Sequence, residues 1–217
     1  MLDQLPPITK AILWSNALVY GLQLLLGEPA FVSFMLWPLG SYPLGYDNGA
    51  LVTTGFLPWQ LVSYGFMHGG FGHLFFNMMA VFMFGAQIEQ VWGSKRFATF
   101  YFVCVVGAGL TQLAVVTWMA SDGGSVFPTI GASGGVYGLL LAYGMMFPNR
   151  QVMLLIPPIP MKARTLVIVF GAIEIFMGVT GTQSGVAHFA HLGGMLFGFL
   201  LIQQWSGRWP FKPNPRR

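Results

Sequence analysis

The chain has 217 residues, of which 55% are hydrophobic and only 7% charged, with a net charge of +4 and a mean hydropathy of +0.65. Ordinary soluble domains carry about 25% charged residues, so this composition excludes a soluble globule and implies an integral membrane protein. The ten Lys and Arg residues form no patch and give no nucleic-acid signal; the single cysteine, Cys104, excludes an intrachain disulfide.

A bilayer core of about 30 Å takes roughly 20 helical residues, and six helices are predicted. The N-terminal ten residues, with two prolines and one acid, do not resemble a cleaved leader. The first helix is expected at 8–27. A loop at about 28–58 follows, with Glu28, Asp47 and an apolar run Phe31 to Trp37. It is too apolar for a solvated linker and is expected in the membrane interface. The second helix is expected at 60–92 and the third at 95–119. A polar loop at 120–130 leads to a short fourth helix, 133–147. The fifth helix is expected at 163–180 and the sixth at 186–205. The whole of 1–217 reads as one transmembrane domain with its core at about 59–205, an all-α fold.

Charge orients this bundle. Lys10, Lys95, Arg96, Arg150, Lys162, Arg164, Arg208, Lys212, Arg216 and Arg217 all fall at the termini or in the 2–3 and 4–5 loops. The positive-inside rule then puts both termini in the cytoplasm. Helices 2, 4 and 6 consequently start on the non-cytoplasmic side. Ser133 opens helix 4; His68, His73 and Asn77 lie early in helix 2; His188 and His191 lie early in helix 6. All four histidines and the glycine-flanked serine are expected at one depth, where polar groups are expensive and are functional candidates. A fourth helix of about 15 residues reaches roughly 22 Å, so Ser133 should sit below the membrane surface, under a wet depression.

Two small-residue stripes bear on contact. Gly134 and Gly138 mark one face of helix 4; Ala190, Gly194 and Gly198 mark one face of helix 6. Such stripes let membrane helices approach closely, and packing them together sets a helix 6 histidine against Ser133. His73 and Asn77 are four apart and share a face, so they can direct donors at one point. Each feature also has a plainer reading. Gly-x-Ser-Gly serves as packing glue, and a lone membrane histidine bonds a carbonyl. The histidine spacings of five and three are compatible with a metal, but they form no compact zinc motif and no acid is expected beside them. Residues 131–135 match G-x-S-x-G literally, yet that motif needs a strand before its helix.

Taken together, Gly131-Ala132-Ser133-Gly134, His73 with Asn77, and Ala190-His191-Leu192-Gly193-Gly194 with Gly198 resemble the rhomboid intramembrane serine proteases, from about Trp59 to Gly198. Gly85 to Ser94, with Glu89, resembles the end of that family's second helix. The resemblance implies a Ser133–His191 dyad without an acidic third member, and no metal or organic cofactor. It implies an oxyanion hole of His73, Asn77 and the Ser133 backbone N–H. It further implies that single-pass membrane proteins are substrates, cleaved within the lipid bilayer near the non-cytoplasmic face. The lack of extra helices resembles the prokaryotic type, hence a bacterial inner membrane. His188 is the competing base; glycines at plus three and plus seven favour His191. The family's first-loop Trp-Arg pair is Trp59-Gln60 here, which leaves loop docking open, and residues 181–187 fit the mobile cap loop. Glu174, inside helix 5, has no assigned role and is expected to be a buried carboxyl, hydrogen-bonded or protonated. A catalytically inactive relative that binds transmembrane segments is the alternative; a small transporter fits less well, because Glu174 is the only charge expected near midplane.

Overall fold

The computed structural model describes residues 5–154, 158–181 and 187–207. Six helices carry the fold: α1 (Pro7–Leu26), α2 (Phe71–Trp92), α3 (Ser94–Ser121), α4 (Ser133–Met146), α5 (Ala163–Thr180) and α6 (His188–Trp205). Among them α2, α3 and α5 are long and apolar enough to cross a membrane. The 14 residues of α4 reach only about 21 Å.

α4 is buried on nearly every side, and its sequence explains why. Its four glycines bring neighbours up to the backbone. A methyl at Gly135 would meet Tyr101 of α3 at 2.7 Å, and one at Gly138 would meet Cys104 at 2.3 Å. At Gly144 the neighbour is Val167 of α5, at 2.4 Å. α6 closes the packing. A methyl at Gly194 would stand 1.9 Å from the Gly134 carbonyl oxygen. The two stripes thus meet at Gly134 and Gly194, whereas Gly198 faces Phe100 and Cys104 of α3 instead.

α1 and α2 are tied at one end by Glu89. Its carboxylate accepts the N–H groups of Ile8 (3.0 Å) and Thr9 (2.7 Å), the Thr9 hydroxyl (2.8 Å) and the Ser94 hydroxyl (2.7 Å). A carboxylate from α2 therefore caps the first turn of α1, where free N–H groups and the helix dipole favour an anion.

Three features depart from the sequence expectations. First, helix 2 does not begin at 60. A short turn, Gln60–Ser63, and a 3₁₀ segment, Tyr64–Phe66, precede a break at Met67, and α2 starts at Phe71 after Gly69-Gly70. His68 therefore lies outside the helix. α2 also widens into a π-helical turn at Val81–Gly85.

Second, two short hairpins accompany this mostly helical fold. β1 (Tyr42–Asp47) pairs antiparallel with β2 (Ala50–Thr54), and β3 (Gln151–Met153) pairs with β4 (Pro160–Lys162). The β1–β2 turn is Asn48-Gly49, both at positive φ (49° and 82°), the sequence that a two-residue hairpin turn demands.

Third, part of the first loop's apolar run is taken into the core: Met35, Leu36 and Trp37 are buried, whereas Phe34 is 47% exposed. Leu36 and Thr129 exchange both backbone hydrogen bonds (3.0 and 2.8 Å), joining this loop to the α3–α4 connection.

Gln60 docks the loop. Its side chain is fully buried. Its Oε1 accepts the Trp37 N–H (3.1 Å), and its Nε2 donates to the carbonyls of Ser33 and Gly55 (3.2 Å each). The Trp59 indole donates to the same Ser33 carbonyl (2.9 Å). Gln60→Ala would leave the Trp37 N–H and the Gly55 carbonyl without this partner, while the Ser33 carbonyl keeps the Trp59 indole. Each unsatisfied buried group costs about 1–3 kcal/mol, so a clear fall in melting temperature in detergent is expected; an unchanged melting temperature would mean the loop does not depend on Gln60.

Candidate active site

Ser133 is the first residue of α4. No side chain caps this helix, so its first-turn N–H groups remain available to an anion. The preceding Gly131 has φ +130°, and its N–H donates to the Tyr64 carbonyl (2.9 Å). A methyl there would lie 2.8 Å from His73 Nε2 and 3.6 Å from Ser133 Oγ. Only glycine satisfies both the conformation and the space, and its absent side chain lets His73 approach the serine.

The close packing of α6 on α4 puts His191 beside Ser133. Nε2 of His191 is 2.8 Å from Ser133 Oγ. An imidazole nitrogen at this distance has the geometry of a general base. His188 does not compete for the serine: its Nδ1 contacts Glu174 Oε2 at 2.6 Å.

On α2, His73 Nδ1 accepts a long hydrogen bond from the Gly69 N–H (3.4 Å). A neutral ring with Nδ1 accepting carries its proton on Nε2, the nitrogen beside Gly131. Asn77 is one turn further along and donates to the His73 carbonyl (3.0 Å). His68, in the break before α2, stands edge-on to His73 at 4.9 Å between ring centroids. His73, Asn77, Ser133, His188 and His191 all line one cavity of about 1390 Å³. α2 and α5 contribute to its lining alongside α3, α4 and α6, with Phe76, Met83, Phe170 and Met177 among the apolar side chains. Five of the residues expected in the 181–187 cap, 182–186, lie outside the described residues.

Two residues of the site escaped the sequence reading. Tyr137 stacks on the His191 ring, with centroids 4.2 Å apart and planes 7° from parallel. The signal was present: Tyr137 is four residues after Ser133 and so shares its face. Glu174 of α5 is the second, and it corrects the expectation that no acid accompanies the histidines. It is 5% exposed. Its Oε1 accepts a hydrogen bond from the Tyr137 hydroxyl, and its Oε2 contacts both His188 Nδ1 and, at 3.0 Å, His191 Nδ1. The last contact is bent away from hydrogen-bond alignment. Ligand atoms of Glu174, His188 and His191 all lie within 4.8 Å of one another. Sequence spacing could not reveal this meeting, because it joins α5 to α6 through tertiary packing.

Comparison with known proteins agrees with this architecture. The Rhomboid domain family matches residues 56–206. YdcA, a rhomboid-family protein of Bacillus subtilis, is 30% identical over 200 residues, covering 91% of this chain and 88% of its own. The rhomboid protease GlpG of Yersinia pestis is 27% identical over 209 residues, 95% of this chain and 65% of its own. The rhomboid protease GluP of Bacillus subtilis is 32% identical over 143 residues, 65% of this chain but only 25% of its own. The match to the domain and to relatives along most of the chain places this protein in the rhomboid family.

Proposed function

We propose that the protein is a serine endopeptidase that cleaves transmembrane segments of single-pass membrane proteins. The observation that carries this reading is the 2.8 Å approach of His191 Nε2 to Ser133 Oγ beside a cavity whose lining includes apolar residues of α2 and α5. Ser133 Oγ attacks the scissile carbonyl carbon while His191 Nε2 takes the hydroxyl proton. The resulting oxyanion is held by the Ser133 N–H, by His73 Nε2–H and by Asn77. His191 then passes its proton to the leaving amine, and the C–N bond breaks. A water, deprotonated by His191, attacks the acyl-serine and releases the new carboxylate. Donors of this kind typically contribute about 10²–10³ each in rate.

In this reading the six helices lie across the bilayer, α4 through only part of its thickness, with both termini cytoplasmic, as the placement of the basic residues indicates. Ser133, His73 and His191 then face the non-cytoplasmic half of a bacterial inner membrane. A substrate helix enters sideways between α2 and α5, which contribute to the lining of the cavity.

The pure protein in proteoliposomes, given a single-pass substrate, is expected to cut within or beside its transmembrane segment. Ser133→Ala is expected to remove that activity. Cleavage surviving in Ser133→Ala would overturn the serine mechanism, and cleavage abolished by a chelator would assign the work to a metal held by Glu174, His188 and His191.

A further inference from the structure

The mechanism just described leaves Glu174 unused, yet its placement is costly. A carboxylate buried among apolar helices is tolerated only where donors satisfy it. Glu174 has two such partners, the Tyr137 hydroxyl and His188 Nδ1, and a third close contact at His191 Nδ1; all belong to the site. His191 Nδ1 has no hydrogen-bond partner among the described residues, and Glu174 Oε2 is the acid oxygen 3.0 Å from it.

We propose that Glu174 is a positioning residue for the base, acting on His191 from the side opposite Ser133. The proposal rests on the Ser133–His191 reading. The carboxylate keeps the His191 proton on Nδ1, so that the Nε2 lone pair points at Ser133 Oγ. It also offsets the positive charge that the ring acquires when Nε2 takes the serine proton. That proton stays on His191 until it passes to the leaving amine; none moves to Glu174, which remains ionised throughout.

Three contacts make the arrangement rigid. Tyr137 fixes the plane of the His191 ring by stacking and fixes the carboxylate through its hydroxyl. His188, three residues before His191 on α6, holds the same oxygen at 2.6 Å and so sets the Glu174 rotamer. Only the Glu174–His191 contact is bent, and hydrogen bonds to a catalytic base commonly tighten when substrate binds and charge develops. The titratable groups facing His191 are thus Tyr137 from α4, Glu174 from α5, His188 from α6 and, across the cavity, His73 from α2. Among these Glu174 is the acid.

The test uses the full chain in proteoliposomes with a single-pass substrate. Glu174→Gln keeps the shape and removes the charge. It is expected to lower kcat about 10²-fold, within the range for general acid–base participation, with KM within about twofold. Combined with His191→Ala, it should lower the residual rate no further, because a residue acting through His191 has nothing left to act on. A wild-type kcat in Glu174→Gln, or a loss that multiplies that of His191→Ala, would overturn the proposal. A merely structural role would lower the melting temperature and give that multiplicative loss. If Glu174→Gln does not fold, Tyr137→Phe removes one carboxylate partner and retains the stack. A lower kcat at constant KM supports the proposal there, and an unchanged kcat overturns it. Cleavage by Ser133→Ala would remove the underlying serine reading as well. Loss of cleavage in Ser133→Ala with full activity in Glu174→Gln would remove this inference alone.

Discussion

His191→Ala is expected to lower the cleavage rate by about 10³–10⁴-fold, whereas His188→Ala should cost only about tenfold. The larger figure is the upper range for loss of a positioned general base; the smaller is that for a group that orients a functional residue from behind. The two histidines are three residues apart on one helix and equally buried, at 8% and 6% exposed, so composition and environment do not separate them. Direction does. His191 aims Nε2 at Ser133, and His188 aims Nδ1 at Glu174. Rates measured on both variants in proteoliposomes check the assignment. A larger loss in His188→Ala than in His191→Ala would reverse it.

Gly194→Ala is the second large effect, and it acts at a distance from the chemistry. The added methyl would stand 1.9 Å from the Gly134 carbonyl oxygen. Backbone on both helices leaves no flexible side chain to yield. Ordinary contact needs about 3.5 Å, so α6 must retreat by about 1.5 Å at this level. The Ser133–His191 contact of 2.8 Å would then open beyond hydrogen-bond reach. Misplacement by about 1 Å can cost 10²-fold in rate, and a loss of at least that size is expected together with a lower melting temperature. Gly21→Ala on α1 is the control, because nothing lies within 4 Å of the new methyl and Gly21 does not line the cavity. Wild-type cleavage by Gly194→Ala would show that the helices do not need this approach.

Helix positions were legible because membrane helices announce themselves by length and apolarity. The helices expected at 163–180 and 95–119 correspond to Ala163–Thr180 and Ser94–Ser121. The second helix was read too long, since Tyr64, Gly65 and Phe66 are as apolar as a helix and only Gly69-Gly70 marks the break. The first hairpin was missed for a related reason. Tyr42 to Thr54 shares the apolar composition of the loop around it, and its hairpin signal is the local Asn48-Gly49 turn. At the site, features carried by spacing along one helix were readable: Gly134 with Gly138, His73 with Asn77, His191 before Gly194. Features made by side chains from different helices were not. Gln60 looked like a lost arginine, yet its amide serves two carbonyls and one N–H at once. Glu174 reads as a buried carboxyl in an apolar helix, but the packing of α5 against α4 and α6 is what names its partners.

The most direct test of a nucleophilic serine is covalent capture. A fluorophosphonate offered to the purified protein should form one adduct, found by peptide mass spectrometry on Ser133, and both Ser133→Ala and His191→Ala should remain unlabelled. An adduct on another residue, or proteolysis that persists when Ser133 is fully modified, would contradict the account.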